Sequence, residues 1–317
     1  MRIAILIMST EMQPSLRNVE ALKNTIVKQT NEQQFQNEYD FFIYSYVNGE
    51  DIDTVKDCTQ DSVYKNCYNI HINGIESVYH TYEKTYVTYK YLLDNESIYG
   101  KYDKFVRINI SCYLNMRLLD SVIADMKEDI IYTNAINSYI NMESVCPNKL
   151  YPRGDFYIVS HSELEGIVKA GKSLMHCDQS LKERNGITHV DDTLFGYAFI
   201  LYRGASEYHK HLQMIKYNFL PFTIDQKEAI DANLNTLSIS SRVKTTPPGA
   251  ISGYSWDDNE WRTHDMKKIE YIHKMLKDKK YENISLESIL ISPLQERVTV
   301  FVNAVNMTPS QIIALTQ

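Results

Sequence analysis

Three stretches of this chain carry residue types at spacings that could do chemistry. In His189-Val190-Asp191-Asp192-Thr193-Leu194-Phe195-Gly196-Tyr197, two adjacent carboxylates stand at the head of an apolar stripe, Val190, Leu194, Ala198 and Leu201, with helical spacing. Carboxylates there cap a helix and are favoured by its dipole. A positioned carboxylate can also take the proton of a hydroxyl as that hydroxyl attacks an electrophile. The second stretch, KYDKFVRINISCYLNMRLLD, spans Lys101 to Asp120, where a short apolar strand, Phe105 to Ile108, carries Arg107 and ends in the polar elbow Asn109-Ile110-Ser111. In the third, Ser238 to Lys244, Arg242 and Lys244 alternate like strand neighbours ahead of Thr245-Thr246-Pro247-Pro248-Gly249. Tyr208-His209-Lys210-His211 is a weaker signal, since histidines without an ordered acidic or thiol partner more often lie on a half-exposed helical face.

The elements that must hold these residues follow from periodicity. Ile3 to Ile7 reads as a buried first strand ending at Ser9-Thr10, followed by a helix with Leu16, Val19, Leu22, Ile26 and Val27 at helical spacing. A second strand, Phe41 to Tyr46, ends in the turn Asn48-Gly49-Glu50-Asp51. Residues 52 to 75 read as loops apart from a strand at Tyr68 to Ile72. A helix from Val78 turns Tyr82, Tyr86, Tyr89, Leu92 and Leu93 inward, so these tyrosines, among 24 in all, belong to the core. After the elbow the sequence predicts a helix with Leu118, Leu119, Val122, Ile123 and Met126 on one face. Next come a strand at Ile130 to Thr133, a loop through Pro147 and Pro152, and a strand ending at Ser160. A helix follows, with Ser162 and Glu165 as a capping box. Trp256 to Asp265 reads as an acidic, aromatic loop ahead of a helix with Met266, Ile269, His273 and Leu276 inward. The tail offers a strand at Val298 to Val302 and a final helix opened by Thr308-Pro309-Ser310-Gln311.

Around the elbow, Tyr102-Asp103-Lys104-Phe105-Val106-Arg107-Ile108-Asn109-Ile110-Ser111 resembles the central strand of nucleotide-sugar-dependent glycosyltransferases of the GT-A fold. Most of that family ends the strand in a metal-binding Asp-x-Asp; here Asn109-Ile110-Ser111 resembles a bacterial and viral branch with R-x-N-x-S. The resemblance implies one mixed, mostly parallel α/β domain flanked by helices over residues 1–275, with a C-terminal helical addition at 276–317. It implies nucleoside contacts at Ser9, Thr10, Tyr46 and Asn48. Lys84, in a Y-x-K-T segment, and Arg107, Asn109 and Ser111 are expected at the donor. Gly154 and Asp155 precede a strand of the family's G-x-x-y-i-l-S type and are expected at a sugar. The segment Asp191-Asp192-x-x-x-Gly196 resembles the acidic helix head of inverting members, so one of its two aspartates is the expected base, Asp191 being favoured by its order in the motif. Arg242, Lys244 and Arg262 are expected to neutralise the leaving diphosphate, and Asn109 and Ser111 are the positions at which a divalent Mn or Mg ion would sit. The implied activity is transfer of a hexosyl or pentosyl group, with a UDP-sugar as expected donor, to a glycan or to hydroxymethylated cytosine in DNA of the bacteriophage type. The alternative is a nucleotide- or sugar-binding module that keeps the fold without turnover.

Composition bounds these expectations. With 317 residues, 44% of them hydrophobic and 23% charged, the chain can bury a large core. A net charge of −7 argues weakly against a protein that coats nucleic acid. Five cysteines, odd in number and without a C-x-x-C pair, indicate neither a disulfide framework nor a zinc site, and fit free thiols in a reducing cytoplasm. The apolar run Ile3 to Met8 is too short for an export signal, and no stretch is long enough to span a membrane, so a bacterial or phage-infected cytoplasm is the expected location.

Overall fold

The computed structural model describes residues 1–49, 51–76, 80–134, 136–138, 150–152, 154–175, 190–204, 206–234, 237–245 and 259–291. Its first strand, β1 (Arg2–Met8), is apolar at every inner position because it is covered on both faces. Ile3, Ile5 and Ile7 point into one cluster, while Ala4 and Leu6 point into the other. The chain then forms a nearly continuous helical run: α1 (Gln13–Leu22), a π turn over Lys23–Val27, and α2 (Lys28–Glu32). It crosses back to β2 (Glu38–Val47), which pairs parallel with β1.

β3 (Thr54–Gln60) and β4 (Cys67–Asn73) follow, the latter parallel to β2 and antiparallel to β3. β3 was not expected. TVKDCTQ has no apolar alternation because it is the outermost strand, with one edge unpaired and little to bury, and its register shifts between Val55 and Asp57. α3 (Thr81–Asp94) and the short α4 (Glu96–Tyr99) return the chain to the far side of β1, where β5 (Lys104–Asn109) pairs with it in parallel. Tyr82, Tyr86, Tyr89 and Leu92 of α3 are buried as expected.

The elbow does not run straight into a helix. β6 (Cys112–Leu114) intervenes, buried throughout, and α5 (Met116–Val122) starts only after Asn115, whose side chain accepts from the Leu118 amide. β7 (Ile131–Thr133) follows, then a hairpin of β8 (Ile136–Ser138) and β9 (Leu150–Pro152) where a loop was expected. β10 (Phe156–Ser160) runs antiparallel to both β5 and β7 and hands directly over to α6 (His161–Gly171). Ser160 rather than Ser162 is the cap, accepting from the Glu163 amide. The sequence offers two overlapping Ser-x-x-Glu frames. The earlier wins because Ser160 is still held in the sheet opposite Lys104, so helix geometry starts at His161.

α7 (Val190–Arg203) packs on α6 and α3, with Leu194, Phe195, Ala198 and Phe199 buried and Leu201 exposed. Beyond it, β11 (Leu212–Met214) joins β7, β12 (Tyr217–Phe219) and β13 (Ser240–Arg242) flank α8 (Lys227–Leu234), and α9 (Asn259–Leu276) lies against α1. α9 begins before the expected helix, so Asn259 to Asp265 is helical rather than loop; Trp256 lies outside the described residues. The tail elements at Val298 to Val302 and from Thr308 also lie outside them.

The main sheet has eight strands in the order β11-β7-β10-β5-β1-β2-β4-β3, mixed in direction and parallel through its centre. One face carries α1, α2, α5 and α9 with a second sheet, β12-β13-β6; the other carries α3, α6 and α7. This is the α/β class expected from the sequence. The amino end of the sheet is locked by Asp120, a buried carboxylate that accepts from the Gln36 amide (2.8 Å), the Asn37 amide (3.1 Å) and side chain (2.8 Å), and the Tyr39 hydroxyl (2.9 Å). No described helix is long and apolar enough to cross a membrane.

One fold contact is pH-sensitive. His273 of α9 sits 3.2 Å from the Tyr113 hydroxyl, and burial, with Lys277 adding to it, pushes its imidazole down to about 4. In the unfolded chain it titrates near 6.5. The unfolded state therefore takes up a proton between those values that the native state refuses, and stability falls as pH drops from 6.5 toward 4. His273→Phe is expected to flatten that acid limb in denaturant titrations at pH 7, 5.5 and 4.5; a limb unchanged from the parent would place the acid loss elsewhere.

Candidate functional site

The path of the chain creates a switch point. From β1 it moves one way to β2 and β4, then returns to β5 on the other side of β1, so the carboxyl ends of β1 and β5 diverge side by side with Met8 opposite Asn109. In open α/β sheets a ligand crevice lies at such a point. Ser9 and Thr10 close β1, and Asn109 and Ser111 close β5, so the two motifs expected at the donor do come together.

The β1 end is built on buried cations. Lys84 is only 1% exposed. Its ammonium donates to the Ser9 carbonyl (2.9 Å) and to both Glu76 oxygens (2.8 and 3.0 Å), and lies 5.3 Å from the centre of the Tyr46 ring. Lys84 therefore ties down the β1 end. Arg107, likewise 1% exposed, places Nη2 3.3 Å from Met8 Sδ and its guanidinium carbon 5.8 Å from the Tyr157 ring centre. Thr10 Oγ1 donates to Ser15 (2.8 Å) and accepts from the Met12 amide (3.3 Å), which shapes the turn into α1. Tyr46 is buried, its hydroxyl on Asp53 (2.6 Å) and the His80 carbonyl (3.1 Å); Asn48 is exposed in the turn after β2.

At the β5 end, Asn109 Oδ1 accepts from the Ser111 amide (3.2 Å) and hydroxyl (3.3 Å), an Asx-type turn that shapes the elbow. Its amide donates to the Asp155 carbonyl (3.1 Å), which places Gly154 and Asp155, both buried, beside it. The Asp155 carboxylate is paired with Arg242. Arg242 arrives from the second sheet: β13 is antiparallel to β6 with Arg242 opposite Cys112, and the Val243 amide donates to the Ser111 carbonyl (2.8 Å). Lys244 lies two residues on, half-buried, and the next residue is anchored where Asp265 of α9 accepts from the Thr245 amide (2.7 Å) and hydroxyl (2.8 Å). Arg262 lies in the first turn of α9.

Asp191 and Asp192 lie in the first turn of α7, at the helix start where the sequence placed them. The helix is held by Phe195, stacked on Tyr157 at 4.5 Å, and Tyr157 is the ring beside Arg107. The backbone at Asp191 thus lies one turn ahead of a residue that packs beneath the β5 end.

A magnesium or manganese ion takes hard oxygen ligands, usually including carboxylates. The elbow supplies neutral oxygens already turned toward each other, and the carboxylate beside them is paired with Arg242. Among the described residues no group of three or more His, Cys, Asp or Glu side chains could hold a metal, His209 and His211 included. Asn109 and Ser111 as they stand do not fit a strong cation site.

Sequence reasoning missed Glu76 and Asp53, whose partners Lys84 and Tyr46 are eight and seven residues away in α3 and β2, so that no single helix or strand period links either pair. It also missed Asn134, which closes β7 much as Asn109 closes β5, a signal that was present in Ile130-Ile131-Tyr132-Thr133-Asn134.

No protein-family profile matches the chain, and no curated protein matches it. Among solved structures it is similar to a glycosyltransferase involved in the glycosylation of the major capsid of PBCV-1, at 11% identity and a TM-score of 0.44, covering 84% of this chain and 99% of that one. It is also similar to the galactosyltransferase LgtC, solved in complex with donor and acceptor sugar analogs, at 10% identity and a TM-score of 0.43, covering 88% of this chain and 98% of that one.

The Asp155–Arg242 pair joins the two sheets at the elbow, so its loss has a defined signature. Asp155→Ala takes the carboxylate away from a half-buried guanidinium and is expected to cost about 1–3 kcal/mol in denaturant unfolding. The Asp155→Ala/Arg242→Ala double variant should cost clearly less than the sum of the single changes. Strict additivity would show that the pair does not hold the elbow.

Proposed function

We propose that the protein is a glycosyltransferase that moves a sugar from a nucleotide-sugar donor to a hydroxyl acceptor. The observation that carries this reading is the meeting, at the β1–β5 switch point, of Ser9 and Thr10 with Asn109, Ser111, Asp155 and Arg242, which were matched to one family's motifs from separate parts of the sequence. Residues 1–275 are the expected catalytic unit; of the residues beyond, Leu276, Leu286 and Ile289 belong to the same core. A UDP-sugar is the expected donor.

The reaction is a displacement at the anomeric carbon. The acceptor oxygen forms the new bond as the bond from the anomeric carbon to the diphosphate oxygen breaks. Asp191 or Asp192 takes the acceptor proton, since an alcohol is a poor nucleophile at neutral pH. The bonding pair leaves with the diphosphate, whose charge Arg242, Lys244 and Arg262 neutralise. For this, Arg242 exchanges its Asp155 partner for phosphate oxygens. Arg107 and Lys84 act from below: they fix the two strand ends that the nucleotide bridges.

The acceptor is a glycan or a hydroxymethylated base in DNA. Salt separates them. Each phosphate contact to DNA releases counterions, so activity on DNA should fall by about 10³-fold or more between 50 and 200 mM salt if six or more contacts form. A small glycan acceptor should show little dependence.

A binding module without turnover is the second reading, favoured by the elbow's lack of carboxylates. Asp191→Asn and Asp192→Asn discriminate. In an enzyme, one of them lowers turnover by about 10²- to 10⁴-fold while donor affinity stays; a module binds the ligand and has no turnover to lose.

The direct test of donor binding is thermal stabilisation by a panel of UDP-, GDP- and dTDP-sugars, each with manganese, with magnesium and with EDTA. A ligand at about a hundred times its Kd adds about 2.7 kcal/mol to stability. Stabilisation by one nucleotide sugar supports the transferase. Stabilisation by none would remove the donor site and the function with it.

A further inference from the structure

Asn18 and Asn134 are each fully buried, and among the described residues neither amide atom of either finds a hydrogen-bond partner. A buried polar group in that state is held against stability. Asn18 lies in the second turn of α1, within the helix layer. Asn134 stands elsewhere. Because β5 and β7 are both antiparallel to β10, they are parallel to each other, and Asn134 closes β7 at the same end of the sheet at which Asn109 closes β5. The register sets Phe156 opposite Ile108 and Tyr157 opposite Thr133, so Asn134 comes level with Phe156, next to Asp155. Two strand spacings, about 10 Å, separate the β5 and β7 ends.

We propose that Asn134 is a specificity-determining residue that hydrogen-bonds a pair of neighbouring hydroxyls on a sugar bound in the crevice, an inference that rests on the glycosyl-transfer reading. A primary amide presents donors and an acceptor side by side. A vicinal diol presents the complement; a phosphate or carboxylate, all acceptor, does not. Asn134 is fully buried in the structure, so a sugar contacts the amide only once it is uncovered. A site built this way rejects analogues that lack the hydroxyl, because the amide is then left unpaired again. The diol can belong to the donor sugar or to the acceptor sugar, and the measurements below separate the two.

The test uses the full chain, the nucleotide sugar that stabilises it best, the matching nucleoside diphosphate, and a methyl glycoside observed by saturation-transfer NMR with the diphosphate present. The variants are Asn134→Leu, near-isosteric and apolar, and Asn134→Ala, which cannot overpack; Asn18→Leu is the control. Without ligand, at least one Asn134 variant should melt no lower than the parent, since it removes an unpaired buried amide. If the diol is the donor's, both variants bind the nucleotide sugar about 10- to 100-fold more weakly and the diphosphate as the parent does. If it is the acceptor's, both donor ligands bind as before and the glycoside signal is lost. Asn18→Leu should alter none of these. Lower melting of both Asn134 variants with every affinity unchanged would show that the amide is structural, and unchanged melting with unchanged affinities would equally overturn the proposal. If no nucleotide sugar binds the parent, the transferase reading fails and this inference with it; if one binds the parent and variants alike and the glycoside signal persists, only Asn134 is struck out.

Discussion

The structure depends on the parallel pairing of β1 with β2 on one side and β5 on the other. A strand hydrogen-bonded along both edges and covered on both faces favours apolar residues, and Ile3 to Ile7 of β1 are all apolar. Parallel neighbours need long crossovers, and the two crossovers leave β1 in opposite directions. The divergence at its carboxyl end is thus a consequence of how the chain closes its core, before any ligand is considered. The polar residues Ser9, Asn109 and Ser111 cluster at that divergence.

Holding that end open has an energetic side. Lys84 and Arg107 are buried at 1% exposure, and desolvating a cation is unfavourable unless it is hydrogen-bonded or paired. Lys84 meets that demand with a backbone carbonyl and a carboxylate. Arg107 has a sulfur acceptor and a neighbouring aromatic ring. Lys84 is neutralised by Glu76 and Arg242 by Asp155, so the β1 and β5 ends are held by ion pairs on both sides of the main sheet.

Much of this was legible in the sequence where a local rule decides the outcome. β1, β2, β5 and β10 are apolar runs with polar ends, and the tyrosine stripe of α3 keeps helical spacing. What stayed hidden was set by distant partners. The pairing of Arg242 with Asp155 needs β13 to find β6, a register with no local trace. Lys84 looks like any surface lysine until Ser9 and Glu76 close on it. The helix start at His161 was obscured because two capping frames overlap and the sheet, not the helix, chooses between them.

The outermost strand, β3, shows a different kind of dependence. Its polar composition and the slip between Val55 and Asp57 are what made it unreadable as a strand. Those same traits are how a protein lives with an open sheet margin. A flat apolar edge would present a template on which a second chain could add strand upon strand; Lys56 and Asp57 set charge there, and the irregular register spoils the match an incoming strand would need. The protection of that sheet edge is written into the segment whose sequence says least about its shape.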